Sequence, residues 1–263
     1  MPLAALLLAA AAASSAPLAP TGPWVVHVDE NMCLLERNYA LGDGQVTLVF
    51  QPLLDLDSME LYVVTADRSH EQFDGTFTAG IGPDAQSFNG RYFSVLPEHG
   101  KQRVTRLTTQ RRVLDDLRDG DTFSLKAKPV NLVFRIVRPE KARVALQACT
   151  DDLKKSWGID AEMESRVVTP LDGNPARYFS ASSYPREALA KRIYGRVIAL
   201  LNISPDGAVE HCRIVSSAGR ELNDGTCKAA MRIRFKPARD RDGKGLPATY
   251  LLPVRWTMPG APQ

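Results

Sequence analysis

The residues best equipped for chemistry in this chain are its four cysteines, Cys33, Cys149, Cys212 and Cys227. As thiolates they would serve as nucleophiles or metal ligands; joined in pairs they would be cross-links. Four cysteines allow three pairings. Two fall within residues 24–160 and two within 184–258, and a domain closes its own bridges, so the expected pairs are Cys33–Cys149 and Cys212–Cys227. In the chain-entropy model a bridge across about fifteen residues contributes about 3 kcal/mol and the longer one about 4 to 5 kcal/mol. The alternative is four buried free thiols. His211 and Cys212 are sequence neighbours, which places their side chains on opposite faces of a strand and argues against a Cys–His dyad. A zinc site from His211, Cys212 and Cys227 would require reduced thiols. His27, His70 and His99 are scattered. No G-x-S-x-G, S-x-x-K, C-x-x-C or H-E-x-x-H pattern occurs. The acidic pairs Asp55, Asp57, Asp115, Asp116, Asp119 and Asp121 lie near turns; calcium is one reading and solvated turns the preferred one. We therefore expect no catalytic residue, no metal and no cofactor, and a protein that is not an enzyme.

Two features bear on where the chain works. Leu3–Ala13 is an unbroken run of Leu and Ala followed by Ser14, Ser15 and Ala16. Eleven such residues span about 16 Å as a helix, half of a hydrocarbon core of about 30 Å. Residues 1–16 accordingly read as a secretory signal, although no Lys or Arg precedes the apolar run. Export to the periplasm would suit the cross-links. The second feature is charge. Residues 176–263 carry 15 Lys and Arg against 7 Asp and Glu, while the remainder carries 18 against 23. A basic C-terminal part faces an acidic N-terminal one, which implies two modules with different surfaces. The basic run Arg232, Arg234, Lys236, Arg239 and Arg241 could meet anionic lipid at a peripheral membrane contact, or be a solvated face. It lacks the interleaved aromatics of a nucleic-acid surface, and export removes nucleic acid as a partner.

The elements that must position these residues form two groups, an α+β whole. Trp24–Asp29, Cys33–Tyr39, Val46–Gln51, Leu61–Thr65, Gly75–Ala79, Phe88–Leu96, Arg103–Thr108, Thr122–Ala127 and Leu132–Val137 are rich in β-branched or aromatic residues and punctuated by turns. They predict a mostly-β, sandwich-like or barrel-like domain of unknown role. Pro139–Trp157 then shifts to helical spacing, with Leu146, Cys149, Leu153 and Trp157 near one face. Residues 24–160 make the first domain and 161–183 read as a linker. The rest alternates sharply. A short helix around Tyr184–Ala190 ends before Gly195, and Arg196–Ile203 is a strand. Ser204-Pro205-Asp206-Gly207 makes a tight turn, Ala208–Ser216 returns, Leu222–Ile233 forms a helix, and Ala248–Met258 is the last strand. Residues 184–258 thus predict a two-helix, three-strand module.

This last segment resembles the C-terminal domain family of TonB over residues from about 176 to 258. The resemblance rests on Tyr184-Pro185 with Ala188, on Gly195-x-Val197, and on Asp206-Gly207-x-Val209. Val215-Ser216-Ser217-x-Gly219, then Leu222, and Phe235-x-Pro237-Ala238 follow in order. Gly245, Pro253-Val254 and Trp256 complete it. The cysteine pair is an addition to that pattern, and residues 24–160 have no counterpart in it.

The resemblance implies recognition by strand pairing, as TonB engages an extended peptide of outer-membrane receptors. Pro253 lacks an N–H and so favours an edge strand, whose free groups could receive a peptide. Thr249, Tyr250, Leu251, Leu252 and Arg255 are the expected partner-binding strip; the competing reading is that Tyr250, Leu252, Val254 and Trp256 merely close the core. The expected partner is an envelope protein or the peptide of a TonB-dependent receptor, with a possible link to transport across the outer membrane. Two alternatives stand beside this one: a true energy transducer whose start lies upstream of Met1, and an exported enzyme with its site in the N-terminal domain.

Overall fold

The computed structural model describes residues 16–53, 58–82, 86–97, 100–159 and 161–258. The apolar run Leu3–Ala13, the acidic Asp55 and Asp57, and His99 lie outside the described residues. The protein is α+β, and its chain divides into two compact units. Glu36–Phe50 and Glu60–Arg143, with the segment ending at Val25, make the first; Val26–Leu35, Gln51–Met59 and the chain from Val144 make the second.

Nine antiparallel strands build one large curled sheet, where a sandwich or barrel-like arrangement is the sequence expectation. They are β1 (Val25–Asp29), β2 (Met32–Leu41), β3 (Gly44–Leu53), β4 (Ser58–Thr65), β5 (Phe73–Ile81), β6 (Gln86–Val95), β7 (Arg103–Gln110), β8 (Thr122–Ala127) and β9 (Val130–Arg135). Their order is β1-β2-β3-β4-β7-β6-β5-β8-β9. Short helix α1 (Arg112–Asp116) links β7 to β8. A strap ahead of β1 joins β9 to β2. Leu18 N–H donates to Val133 O (2.7 Å) and Leu18 O accepts from Arg135 N–H (3.0 Å), while Thr21 N–H donates to Asn38 O (2.9 Å) and Ala40 N–H to Ala19 O (3.1 Å). One extended segment thereby satisfies groups on both strands that would otherwise face water or a stranger.

A curled sheet needs large side chains on its concave face, and alternation supplies them. Leu35, Tyr39, Phe50, Phe77, Phe123 and Phe134 are fully buried, with Tyr39 edge-on to Phe134 at 4.9 Å between centroids. Arg103 is buried as completely. Its charge is tolerated because every arm of the guanidinium is used. Nε donates to Asp67 (2.6 Å), Nη2 to the carbonyls of Ser69 (2.6 Å) and Glu71 (2.8 Å), and Nη1 to Ser94 Oγ (3.2 Å).

The remaining elements are α2 (Pro139–Ser156), α3 (Ala161–Arg166), α4 (Arg186–Ala190), β10 (Gly195–Ile203), β11 (Val209–Ser216), α5 (Arg220–Ala230), β12 (Ala238–Arg239), β13 (Gly245–Leu246) and β14 (Ala248–Trp256). Residues 161–183 contain α3, two single 3-10 turns and two bridges, Thr169 to Arg239 and Asp172 to Lys236. β10 lies between β11 and β14 in a three-stranded antiparallel sheet. Val197, Ala199, Leu201 and Ile203 on one face of β10 join Leu222, Ala230, Ile233, Leu252, Val254 and Trp256 in a single core. Trp256 Nε1 donates to Thr226 Oγ1 (2.9 Å), and Thr226 Oγ1 donates to Leu222 O (2.8 Å), so the indole is buried without an unmet donor. Ile198 and Leu200, on the opposite face of β10, are buried too.

Sulphur atoms of Cys33 and Cys149 lie 1.97 Å apart, and those of Cys212 and Cys227 lie 2.04 Å apart. The first bridge joins β2 to α2; the second joins β11 to α5.

Candidate functional site

The C-terminal sheet has two margins, and they differ. β11 pairs with β10 through a register broken twice, between Ile198 and Ala199 and between Asn202 and Ile203. Such bulges twist a strand and blunt its edge. Cys212 further staples β11 to α5. β14, by contrast, pairs with β10 without a break from Gly195↔Trp256 to Ile203↔Ala248. Among the described residues no other strand pairs with β14.

Which of its backbone groups face outward follows from two observations. Ser204 N–H donates to Ala208 O (2.9 Å) across the β10–β11 hairpin. In an antiparallel ladder a residue directs both of its groups to one neighbour and the next residue to the other. Even-numbered residues of β10 therefore address β11, and odd-numbered ones address β14. Val197, Ala199, Leu201 and Ile203 stand opposite Val254, Leu252, Tyr250 and Ala248. Those four bond inward, and Thr249, Leu251, Pro253 and Arg255 direct their groups outward. Pro253, which has no N–H to give, sits in the outward set, where no partner on β10 needs one.

The same parity sorts the side chains. Leu252, Val254 and Trp256 are buried, and Pro253 and Arg255 are exposed. Tyr250 packs its ring 5.2 Å from that of Phe235 within the core. Thr249 Oγ1 donates to Trp157 O (3.3 Å), just beyond the end of α2. The residues of the expected strip thus lie on one strand but in two sets. Thr249, Leu251 and Arg255 present outward backbone and the face away from the core. Tyr250 and Leu252 commit their side chains to the core and their backbone to β10. Pro253, absent from the expected strip, belongs to the outward set; its missing N–H is the one sequence feature that fixes the parity.

Several residues that carry the sequence resemblance have a structural task. Gly207 has φ of +88°, and a Cβ there would lie 2.0 Å from Phe235 O. Phe235 N–H donates to Gly207 O (2.9 Å), so the hairpin turn and the exit of α5 touch through bare backbone. Gly245 is equally constrained, since its Cβ would lie 2.0 Å from Pro205 O. Within the turn, the Ser204 hydroxyl donates to Asp206 and, with a backbone N–H, holds that carboxyl below the usual carboxylate range. Tyr184 stacks edge-on against Trp256 at 5.2 Å, and its hydroxyl donates to Ile193 O (2.6 Å). Burial raises its pKa.

Residues considered for other chemistry are occupied structurally. Cys212 and Cys227 are joined to each other and hold no thiolate for zinc. Asp119 accepts from Arg138 N–H (2.8 Å) and Asp121 from Arg118 N–H (2.7 Å), as turn caps do. In the basic run, Lys236 pairs with Asp172 (2.9 Å) and Arg239 donates to Gly243 O (2.6 Å). No helix among the described residues is long and apolar enough to cross a membrane.

Comparison with known proteins covers this region. Residues 180–258 match the family model described as Gram-negative bacterial TonB protein C-terminal. Protein TonB of Klebsiella pneumoniae is 34% identical over 83 residues, which are 32% of this chain. The chain spans 34% of the length of that curated relative. With the fold, the two glycine contacts and the Trp256 core in place, residues 180–258 of this chain belong to the TonB C-terminal domain family.

Proposed function

We propose that this protein is a TonB-like binding protein of the Gram-negative periplasm that takes up an extended segment of an envelope partner along the outer edge of β14. The partner class is the periplasm-facing peptide of an outer-membrane receptor, and the role is in envelope transport rather than catalysis. The observation that carries the reading is the contrast between the sheet's margins: β14 is regular, nine residues long and paired on one side, whereas β11 is bulged and stapled. Outward N–H groups of Thr249, Leu251 and Arg255, and outward carbonyls of those residues and Pro253, supply a ladder. The exposed Arg255 adds a charge-assisted contact for an acidic position of the partner. Main-chain pairing gives affinity, and the alternating side chains beside it give selectivity.

The test is capture from Gram-negative envelope extract by the full-length protein and by a Leu251→Pro variant. That substitution removes one outward N–H and leaves the β10–β14 ladder whole. The expected result is a captured envelope protein that the folded Leu251→Pro form no longer retains. Equal capture by the two forms would sink strand pairing at this edge.

A further inference from the structure

A second surface of the same domain has the shape and charge of a binding site. A groove of about 880 Å³ runs between residues 182–191 and α5. Its floor is a close contact. A Cβ on Gly225 would lie 2.5 Å from Pro185 Cγ, so the start of α4 can sit against α5 only because residue 225 has no side chain. Ala188 and Ala229, buried on either side, fix the spacing. The Cys212–Cys227 bridge anchors the α5 wall to β11. The walls are therefore held in place before anything binds, which lowers the cost of binding.

The charges divide along α5. Near its first turns they cancel, because Lys191 Nζ meets Glu221 at 2.5 Å and Arg220 faces Asp224 at 3.9 Å. Arg186, Lys228 and Arg232 also line the groove and are exposed. None of the three has an ion pair among the described residues, and Glu187 is the one lining carboxylate left to oppose them. Lys228 stands in the last turn of α5 and Arg232 just beyond its end, and both line the groove. The lining follows α5 from Arg220 to Ala229 and continues to Arg232 beyond its end, an axis of about 16 Å, the span of about five extended residues. A flat bilayer cannot enter a concavity between two helices, and a single small anion would fill little of it.

We infer that this groove is a docking site for an acidic, extended peptide segment of a partner protein, held by Arg186, Lys228 and Arg232. No residue of β14 lines this site, which does not depend on strand pairing there, so one domain would hold two chain segments by different physics. The edge reads backbone, and the groove reads carboxylates.

The experiment uses the full-length protein with fluorescently labelled oligoglutamate and, as its neutral match, oligoglutamine, read by anisotropy. Oligoglutamate is expected to bind, and binding should fall steeply with added salt. Reversal of two exposed cations in Lys228→Glu/Arg232→Glu should weaken it on the order of tenfold or more. Arg239→Glu/Arg241→Glu, in the basic loop outside the groove, should change it less than about twofold. Melting curves for both double variants establish that they are folded, and Lys228→Gln/Arg232→Gln provides a milder form if the reversal is not. Equal binding of the two peptides, or equal loss in the two double variants, overturns the assignment. So does binding of anionic phosphatidylglycerol vesicles that is lost in the Lys228/Arg232 variant while oligoglutamate fails to bind. Oligoglutamate binding that is lost in Leu251→Pro and kept in Lys228→Glu/Arg232→Glu would belong to the β14 edge and overturns the assignment.

Discussion

The two antiparallel sheets of this protein handle their margins in opposite ways. In the nine-stranded sheet a strap at residues 18–21 bonds to β9 on one side and β2 on the other. In the three-stranded sheet nothing of the kind lies beyond β14 among the described residues. The strand chemistry is similar in the two, with fully buried residues alternating with less buried ones along β2 and along the second half of β14. The lesson is that closure, rather than strand composition, decides whether a sheet is scaffold or receptor. Unpaired N–H and C=O groups are the same template wherever they occur, and a protein either covers them or uses them.

Leu252→Pro removes an inward N–H and a buried side chain, so we expect a loss of about 5 kcal/mol and an unfolded C-terminal domain, measured by chemical denaturation. Next in size is the bridge that ties β2 to α2. It closes a separation of 116 residues against 15 for the other. Replacing Cys33 and Cys149 by Ser should cost about 5 kcal/mol, and replacing Cys212 and Cys227 about 3 kcal/mol, in matched denaturation curves. A reversed order would mean that local packing outweighs chain entropy.

Smaller changes sharpen the contrast between margins. Leu18→Pro deletes the donor to Val133 O, should cost about 1 kcal/mol, and should expose β9. Concentration-dependent association in light scattering would then show the closed sheet behaving like the open one. Asp67→Asn neutralises the anion paired with the buried Arg103, which keeps its bonds to Ser69 O, Glu71 O and Ser94, so about 1 kcal/mol is expected for this part-exposed carboxylate. The Ser69 N–H and the Arg103 guanidinium hold the Asp67 carboxyl below the usual range. Its contribution is therefore complete above the unfolded value of about 3.9 and is lost as pH falls through the lower folded value. The variant should show a flatter stability profile below about pH 4. The smallest effect on stability belongs to Leu251→Pro, at or below about 1 kcal/mol, since no ladder bond of the folded domain is touched. Its effect on capture should be the largest of all.

Much of the secondary structure was legible because it rests on local chemistry. Each of the nine expected strands before residue 138 overlaps an observed one, and the Pro139–Trp157 helix is α2 within one residue. Ser204-Pro205-Asp206-Gly207 announced its turn through Pro and Gly. The strap was not legible. Pro17-Leu18-Ala19-Pro20 resembles a spacer, and its prolines argue against a strand until two different neighbours share its remaining groups. The sorting of β14 is half legible: Pro253 marks an edge, but Tyr250 and Leu252 look no different from Thr249 and Leu251, because spacing alone does not say which parity meets the core. The groove beside α5 left no trace in the sequence, since its floor is a glycine and a proline 40 residues apart.

Turn positions, strand and helix periods, the charge contrast between the two parts and the family of residues 180–258 all followed from the sequence by itself. Each depends on backbone preferences or side-chain order within a few residues, or on a pattern of such features. Tertiary structure alone decided which margin is covered, which backbone groups of β14 face outward, and where Pro185 meets Gly225. Those outcomes depend on main-chain groups that every residue shares and on contacts between distant segments, and neither is written in the identity of any single residue.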